Sequence, residues 1–386
     1  MSDKKDETKL LNISVNTKEL AHALSFANSV VEKRNILSEL GNIKLLAKNN
    51  SLEIGATDMD LYLNQEIGAQ VTNQGETTVS TQLLSDIIRK IPDEYLQLSQ
   101  SENEKELLIN GRNCNFKLLT LPTANFPIME GLDSSSHLKL PCKDLLHLID
   151  STNFSISNDE TRYNLSGLYF HINDNDLYSA STDGHRLSVS SKGIKEVLDN
   201  SVGIIIPKKT VLELAKIIRD SKNIQSEISM SFSNTKIRFE CNNIILVSKI
   251  IDGSFPDYRQ LIPSENNNRL VIATNLLKEA IDRIATITVE KFRAIKFFIQ
   301  SDNLKLTATG EAKGMASEVL YYKEDKNISY IGAEMSIGFN PRYWTDVLSS
   351  IDSEYIEVSL KDYNSPVLIK AVSNPTDLFV IMPVKV

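Results

Sequence analysis

A short pattern recurs six times along the chain: an apolar residue, a capping or small residue, and a second apolar residue five positions after the first. It begins at Val15 (VNTKEL), Val79 (VSTQLL), Leu140 (LPCKDL), Ile206 (IPKKTV), Ile272 (IATNLL) and Phe339 (FNPRYW), at intervals of 64, 61, 66, 66 and 67 residues. Asn16-Thr17, Ser80-Thr81, Thr274-Asn275 and Asn340 are N-cap types, whose side chains satisfy the backbone N–H groups that a helix start leaves unpaired. Pro141, Pro207 and Pro341 suit the first helical turn, where a missing N–H costs nothing. The apolar residue five later (Leu20, Leu84, Leu145, Val211, Leu277, Trp344) is then the first to face a core. Each recurrence predicts strand, cap, helix.

Other features repeat at twice that interval. Phe126-Pro127 closes TLPTANFP and Phe255-Pro256 closes DGSFP, 129 residues on. Thr57-Asp58 and Thr182-Asp183 stand 125 apart, and Asp86-Ile87, Glu213-Leu214 and Asp346-Val347 follow at 127 and 133. The unit is therefore a domain of about 125–130 residues, within the usual single-domain range, made of two similar halves and present three times. The boundaries expected are 11–135, 136–263 and 264–386, after a disordered stretch at 1–10. Between the helices, short apolar or alternating segments broken by Asn, Gly and Asp read as antiparallel strands. Two helices per unit on such strands make an α+β class, with helices packed on antiparallel sheet.

Composition narrows the function classes. No apolar run approaches the roughly 18 residues of a membrane helix, so no membrane association is expected. Cys114, Cys142 and Cys241 are scattered and odd in number, which implies no disulfide framework and fits a reducing cytoplasm. GxGxxG, P-loop, HExxH, GxSxG and CxxC patterns are absent, and five histidines show no ligand spacing. Asp58 and Asp60 resemble a D-x-D metal pair but fall in an expected turn. Asp183, His185 and Arg186 could form an acid–base cluster; a polar turn with a partly buried histidine accounts for them better. No cofactor or metal is expected. An enzyme needs a site built once, whereas sixfold repetition suits a structure whose shape is its function. An unrelated modular scaffold that ignores DNA is the other alternative.

The net charge of −8 argues against wholesale nucleic-acid binding. One helix departs from it. At about 100° per residue, Lys208, Lys209, Lys216 and Arg219 share one arc, opposite Val211, Leu214, Ala215, Ile217 and Ile218. Such a stripe can track phosphates. It is equally the ordinary solvated face of an amphipathic helix.

TLPTANFP, TDGHRL, DGSFPDYR, EKFR (290–293), GAEMSIGFN and VIMPVKV then occur in the order in which similar motifs occur in one family. From about Val15 to the C-terminus the chain resembles the bacterial DNA polymerase III beta subunits, the sliding clamps. The resemblance implies a head-to-tail homodimer of three-domain subunits. Its ring would carry twelve helices inside and antiparallel sheet outside, and would hold double-stranded DNA without regard to sequence. Arg34 and Tyr163 would approach the DNA together with the basic stripe. The DNA polymerase III alpha subunit, the clamp loader and other clamp-binding-motif proteins would insert a short peptide between the second and third domains. The matching residues are Leu165, Thr182, Gly184, His185, Arg186, Leu187, Pro256, Leu261, Val380, Ile381, Met382 and Pro383, with Arg186 meeting polar groups of the peptide. Ile87, Phe116, Leu118 and Ile287 would form the subunit interface, and the protein would be cytoplasmic and nucleoid-associated. The chain departs from the family pattern at Ser38-Glu39 in the early loop. Gln82 and Asn164 stand at expected DNA contacts, and Gln260 and Pro366 at the pocket.

Overall fold

The computed structural model describes residues 10–32, 38–129, 132, 136–195, 203–288, 294–310, 314–325 and 327–385. Strands β1–β8 of the first repeat are Asn12–Asn16, Asn42–Lys48, Ser51–Thr57, Leu61–Asn73, Gly75–Ser80, Tyr95–Gln100, Glu106–Asn110 and Asn115–Leu121. Those of the second, β9–β16, are Ser136–Pro141, Gly167–Asn173, Asp176–Thr182, Arg186–Gly193, Gly203–Pro207, Glu227–Phe232, Lys236–Cys241 and Ile244–Lys249. Those of the third, β17–β25, are Asn268–Ala273, Ile295–Ile299, Asn303–Gly310, Gly314–Tyr321, Ser329–Ile331, Met335–Phe339, Tyr355–Leu360, Val367–Ala371 and Leu378–Ile381. Among the described residues the short β21 has no counterpart in the other two. Six helices complete the described residues: α1 Thr17–Val30, α2 Thr81–Ile88, α3 Cys142–Asp150, α4 Lys208–Arg219, α5 Thr274–Ala285 and α6 Pro341–Ser350.

The sixfold pattern has the predicted physical content. All six leading apolar residues and all six residues five positions later are buried. Asn16 Oδ1 accepts from the backbone N–H of Lys18 and Glu19 at 3.0 and 3.2 Å, and Asn340 Oδ1 accepts from Arg342 at 3.0 Å. Ser80 Oγ accepts from Leu83 N–H, and Pro341 opens α6. Two details differ. Helix α5 is preceded by Ala273, which cannot cap; Thr274 lies inside the helix and donates its hydroxyl to Ser353 O at 2.6 Å. Pro141 and Pro207 end β9 and β13 instead of entering α3 and α4. Both strands lie at the outer end of their sheet order, where a missing N–H breaks no ladder.

Every repeat builds two four-stranded antiparallel sheets. In the first they run β1-β6-β7-β8 and β5-β2-β3-β4, in the second β9-β14-β15-β16 and β13-β10-β11-β12, and in the third β17-β23-β24-β25 and β22-β18-β19-β20. Buried helix residues pack on these sheets. In the third repeat Trp344 lies 5.1 Å from Phe297 and 5.3 Å from Phe339, ring centre to ring centre, within one apolar core with Leu277, Ile281 and Val347. The described chain divides into two compact units, one within 1–143 and 212–250, the other within 144–211 and 251–386. In the first unit β4 pairs β16, with Leu61 opposite Ser248. In the second unit β12 pairs β25, with Arg186 opposite Ile381. The same two positions of the repeat are thus joined twice, the fourth strand of one repeat to the last strand of the next.

A turn precedes each joining strand, and its hydrogen bonds repeat group for group. Thr57 Oγ1 donates to Leu61 O and accepts from Met59 N–H; Thr182 Oγ1 donates to Arg186 O and accepts from Gly184 N–H. Asp58 Oδ1 accepts from Asp60 and Leu61 N–H, and Asp183 Oδ1 from His185 and Arg186 N–H. The third residue of each turn has positive φ, 78° at Met59 and 89° at Gly184. Both aspartates are therefore occupied as turn formers.

Candidate functional site

A cavity of about 460 Å³ opens beside the second turn. Its apolar lining is Leu187, Leu261, Ile262, Pro263, Val380 and Met382; its polar lining is Gln260, Ser264, Glu265, Asn266, Lys361 and Ser365, with Thr182, Gly184, Arg186 and Pro366 completing it. Val380 and Met382 reach it because alternate residues of a strand share a face. Glycine at 184 serves the site twice. The backbone is left-handed there, and a Cβ would stand 2.8 Å from Arg162 Nη1.

Arg186 is the structural anchor of this cavity. Its side chain is 7% exposed. Nε donates to Asp183 Oδ2 at 3.1 Å, Nη1 to Asp346 Oδ2 at 2.6 Å, and Nη2 to Phe154 O. The guanidinium lies 4.7 Å from the Tyr343 ring centre and 5.5 Å from that of Phe154. Its charge thus ties the turn to α6. The remaining polar lining comes from the segment joining the second and third repeats and from the turn between β23 and β24. Asn266 Nδ2 donates to Ser359 O and Pro366 O at 2.9 and 3.0 Å, and Lys361 pairs with Glu265 at 2.7 Å.

Of the expected pocket residues, Thr182, Gly184, Arg186, Leu187, Leu261, Val380 and Met382 come together in this lining. Ile381 is fully buried, since strand alternation turns it into the core of the third repeat. Leu165 is buried in the short helix Glu160–Leu165. His185 is exposed and stacks on Tyr343 at 6.4 Å, so it is not the partly buried histidine expected. Pro256 borders a second cavity of about 380 Å³ with Tyr169, His171, Phe255, Tyr258 and Arg259. Pro383 follows β25, outside either lining. Sequence reading missed Ile262–Asn266, Lys361 and Ser365; the polar run after Leu261 and the turn around Asp362 were the available signals. Gln260 and Pro366, two departures from the family pattern, both line the cavity.

The first junction shows why this lining is not simply repeated. Met382 N–H donates to His185 O at 2.9 Å, and at the matching place Lys249 N–H donates to Asp60 O at 2.9 Å. Lys249 thus stands where Met382 does, and its Nζ is paired with Asp60 at 2.8 Å. Met59 takes the place of Gly184. The first junction thus carries an ion pair and a methionine at the positions that hold Met382, His185 and Gly184 in the second.

Lys208, Lys209, Lys216 and Arg219 all lie on α4. Lys208 Nζ donates to Asn158 Oδ1 at 2.7 Å; burial, then the charges of Arg186 and Arg342, hold its pKa below the usual lysine value. Lys216 Nζ donates to Ser25 O and Ser29 Oγ at 2.9 Å each and lies over the Phe26 ring, so it also fastens α4 to α1. Tyr163 is exposed. Arg34 and the EKFR segment lie outside the described residues. No cluster of three or more His, Cys, Asp or Glu suited to a metal occurs among the described residues.

The expected interface residues are only partly covered: Phe116 is exposed, and Ile87, Leu118 and Ile287 are half-buried. Strand β8 pairs β7 through residues 115–119 but meets β5 only through Thr120 and Leu121, which leaves its outer stretch open on one side. Strand β20 pairs β19 alone. Both open edges carry exposed apolar side chains that sequence reading missed, Leu119 on β8 and Met315, Val319 and Tyr321 on β20.

Three repeats of paired four-stranded sheets with two helices each, joined fourth strand to last strand, define a DNA-clamp fold. The family descriptions match in chain order: the N-terminal domain of the DNA polymerase III beta subunit over residues 11–130, its central domain over 139–257 and its C-terminal domain over 259–385. The chain belongs to the DNA polymerase III beta subunit family, the sliding clamps, which are non-catalytic processivity subunits. It is 49% identical to the beta sliding clamp of Rickettsia bellii over 381 residues, covering 98% of this chain and 100% of that one. It is 32% identical to that of Escherichia coli, covering 97% and 100%. Among solved structures it is similar to the Bartonella birtlesii sliding clamp bound to griselimycin, with a TM-score of 0.92, 34% identity and coverage of 98% and 100%. The Pseudomonas aeruginosa clamp bound to griselimycin gives a TM-score of 0.92 at 29% identity, with the same coverage.

Proposed function

We propose that two copies of this chain close head to tail into a ring of six repeats around double-stranded DNA, and that the cavity beside Gly184 captures short peptides of replication partners. The observation that carries the ring is the junction rule. Strand β4 pairs β16 and β12 pairs β25, so the fourth strand of the third repeat, β20, and the last strand of the first, β8, are the two positions left over. Joined between two copies, they form a heterologous interface, and such an interface closes when its rotation fits. Carrying the two observed registers across puts Ala316 opposite Phe116 and Gly314 opposite Leu118 of the second copy. The repeats are divided at 11–135, 136–263 and 264–386.

Duplex held by topology needs no base contacts. Phosphate contacts from Lys208, Lys209, Lys216 and Arg219, with Tyr163 beside them, are replaced by equivalent ones as the ring moves. Lys208 supports this role, since an arriving phosphate would relieve the repulsion from its cationic neighbours. The net charge of −8 disfavours DNA elsewhere on the protein. In the cavity, an apolar lining with a few polar groups suits a peptide with aliphatic anchors. Met382 adapts readily to different side chains. The partners are the polymerase III alpha subunit, the clamp loader and other proteins carrying a clamp-binding peptide, met in the cytoplasm on the nucleoid. The test is DNA topology: loaded protein should stay on circular DNA and run off linear ends. Equal loss from both would overturn the ring.

A further inference from the structure

Two of the chain's three cysteines, 99 residues apart, meet in the first unit. Cys142 opens helix α3 and Cys241 ends strand β15; their sulfurs are 3.5 Å apart, and both side chains are buried. Three independent pieces of backbone bring them there. Strand β9 pairs β14 with Pro141 opposite Glu227, β14 pairs β15 with Ser229 opposite Glu240, and Cys142 N–H donates to Ser226 O at 2.9 Å. The spacing alone, read in a reducing compartment, suggests no pair. A packed pair of thiols would serve as two small apolar residues. A separation of 3.5 Å is also within a small side-chain movement of the roughly 2.05 Å of a sulfur–sulfur bond.

We propose that Cys142 and Cys241 form an oxidation-responsive dithiol that closes to an intrachain disulfide when a peroxide reaches it. The chemistry takes two steps. Cys241, as thiolate, attacks one peroxide oxygen; the O–O bond breaks, Cys241 becomes a sulfenic acid and hydroxide leaves to become water. Cys142, losing its proton, then attacks the Cys241 sulfur; the S–O bond breaks and a second water departs. Two thiols are oxidised and one peroxide is reduced. Either sulfur can donate the hydrogen bond they share, so the same two steps balance with the two cysteines exchanged. Burial slows the first step, so it proceeds through local opening at the start of α3. The product would staple that helix start to the β15–β16 hairpin, and β16 is the strand that pairs β4 of the first repeat.

The experiment uses the full chain, reduced, then exposed to graded hydrogen peroxide, denatured and alkylated. The expected result is loss of two alkylatable thiols, a mass lower by two hydrogens, and a Cys142–Cys241 cross-linked peptide that dithiothreitol removes. Closing so long a loop should raise the thermal midpoint of the oxidised protein by roughly 5 °C or more. Cys142→Ser should abolish the cross-link, and Cys114→Ser should leave it intact. The partly exposed Cys114 reports that oxidant was present. The proposal fails if Cys114 oxidises while Cys142 and Cys241 remain alkylatable. It fails equally if the two are oxidised separately to sulfinic acids without a cross-link.

Discussion

Replacing Met315 and Leu119 by alanine should take the ring apart while leaving each chain folded. The two side chains are 70% and 78% exposed in the single chain, so neither supports its own repeat to any extent. Full burial of a Met or Leu side chain contributes about 1.5–3 kcal/mol. Scaling by the exposed fraction and allowing for the Cβ that alanine keeps leaves roughly 1 kcal/mol for each. The double substitution then costs roughly 2 kcal/mol per interface. A head-to-tail dimer makes that interface twice, so the ring loses roughly 4 kcal/mol, a rise of about a thousandfold in the dimer Kd. Sedimentation velocity over a concentration series measures this directly, with far-ultraviolet circular dichroism as the control on folding. Exposed substitutions usually shift stability by less than about 0.5 kcal/mol, so the spectrum of the monomer should not change. A Kd change under tenfold would refute the assignment of β8 and β20 to the interface. Loss of the dimer only together with loss of the fold would refute the claim that these side chains are free for a partner. A Phe116→Cys, Ala316→Cys chain tests the register, since it should cross-link between copies and not within one.

Lys208→Glu with Lys209→Glu should shorten retention on circular DNA and flatten its salt dependence; unchanged values of both would remove the α4 stripe from the DNA face. Met382→Ala should weaken binding of a clamp-binding peptide, measured by calorimetry, by about tenfold through loss of roughly 1.5 kcal/mol of apolar contact, with the fold intact. Leu187→Ala is a poorer probe because Leu187 is buried and its loss would cost stability. Two histidines should give opposite pH effects. His171, buried and hydrogen-bonded to Tyr258 at 2.7 Å, has its pKa lowered to about 4 by burial, then by Arg259. Its folded value lies below the unfolded value of about 6.5, so its stabilisation is present above pH 6.5 and is lost as pH falls toward 4, by about 3 kcal/mol. His147, whose pKa is raised chiefly by its bond to Asp377 at 3.0 Å, stabilises below pH 6.5 and loses that contribution as pH rises through its folded value. Urea unfolding from pH 4 to 8 should show both limbs. A His171→Phe chain that loses as much stability on the acid side as the parent would exclude His171 as the cause.

Much of the architecture was legible because it rests on local rules. A cap followed by a buried residue, recurring six times, located the helices to within a residue or so, and the Thr-Asp pairs located two turns whose hydrogen bonds match. The α+β class follows from the same periodicities. The site was legible in part. Leu187, Val380 and Met382 share a cavity, but their neighbour Ile381 faces the core, because which face of a strand is inward depends on what packs behind it. Arg186 lines the cavity, and its guanidinium is held by Asp183, Asp346 and two rings. No motif marks that, since its second carboxylate comes from 160 residues away.

The sequence by itself determined three repeats, their helix starts, the joining turns and a basic arc on α4, all carried by residues within about ten positions of one another. Only the tertiary structure decided which edges stay open, that Gly184 and Met382 border a cavity, and that Cys142 meets Cys241. Those outcomes depend on strand register and on packing between segments far apart in the chain, and no local pattern of side chains encodes them.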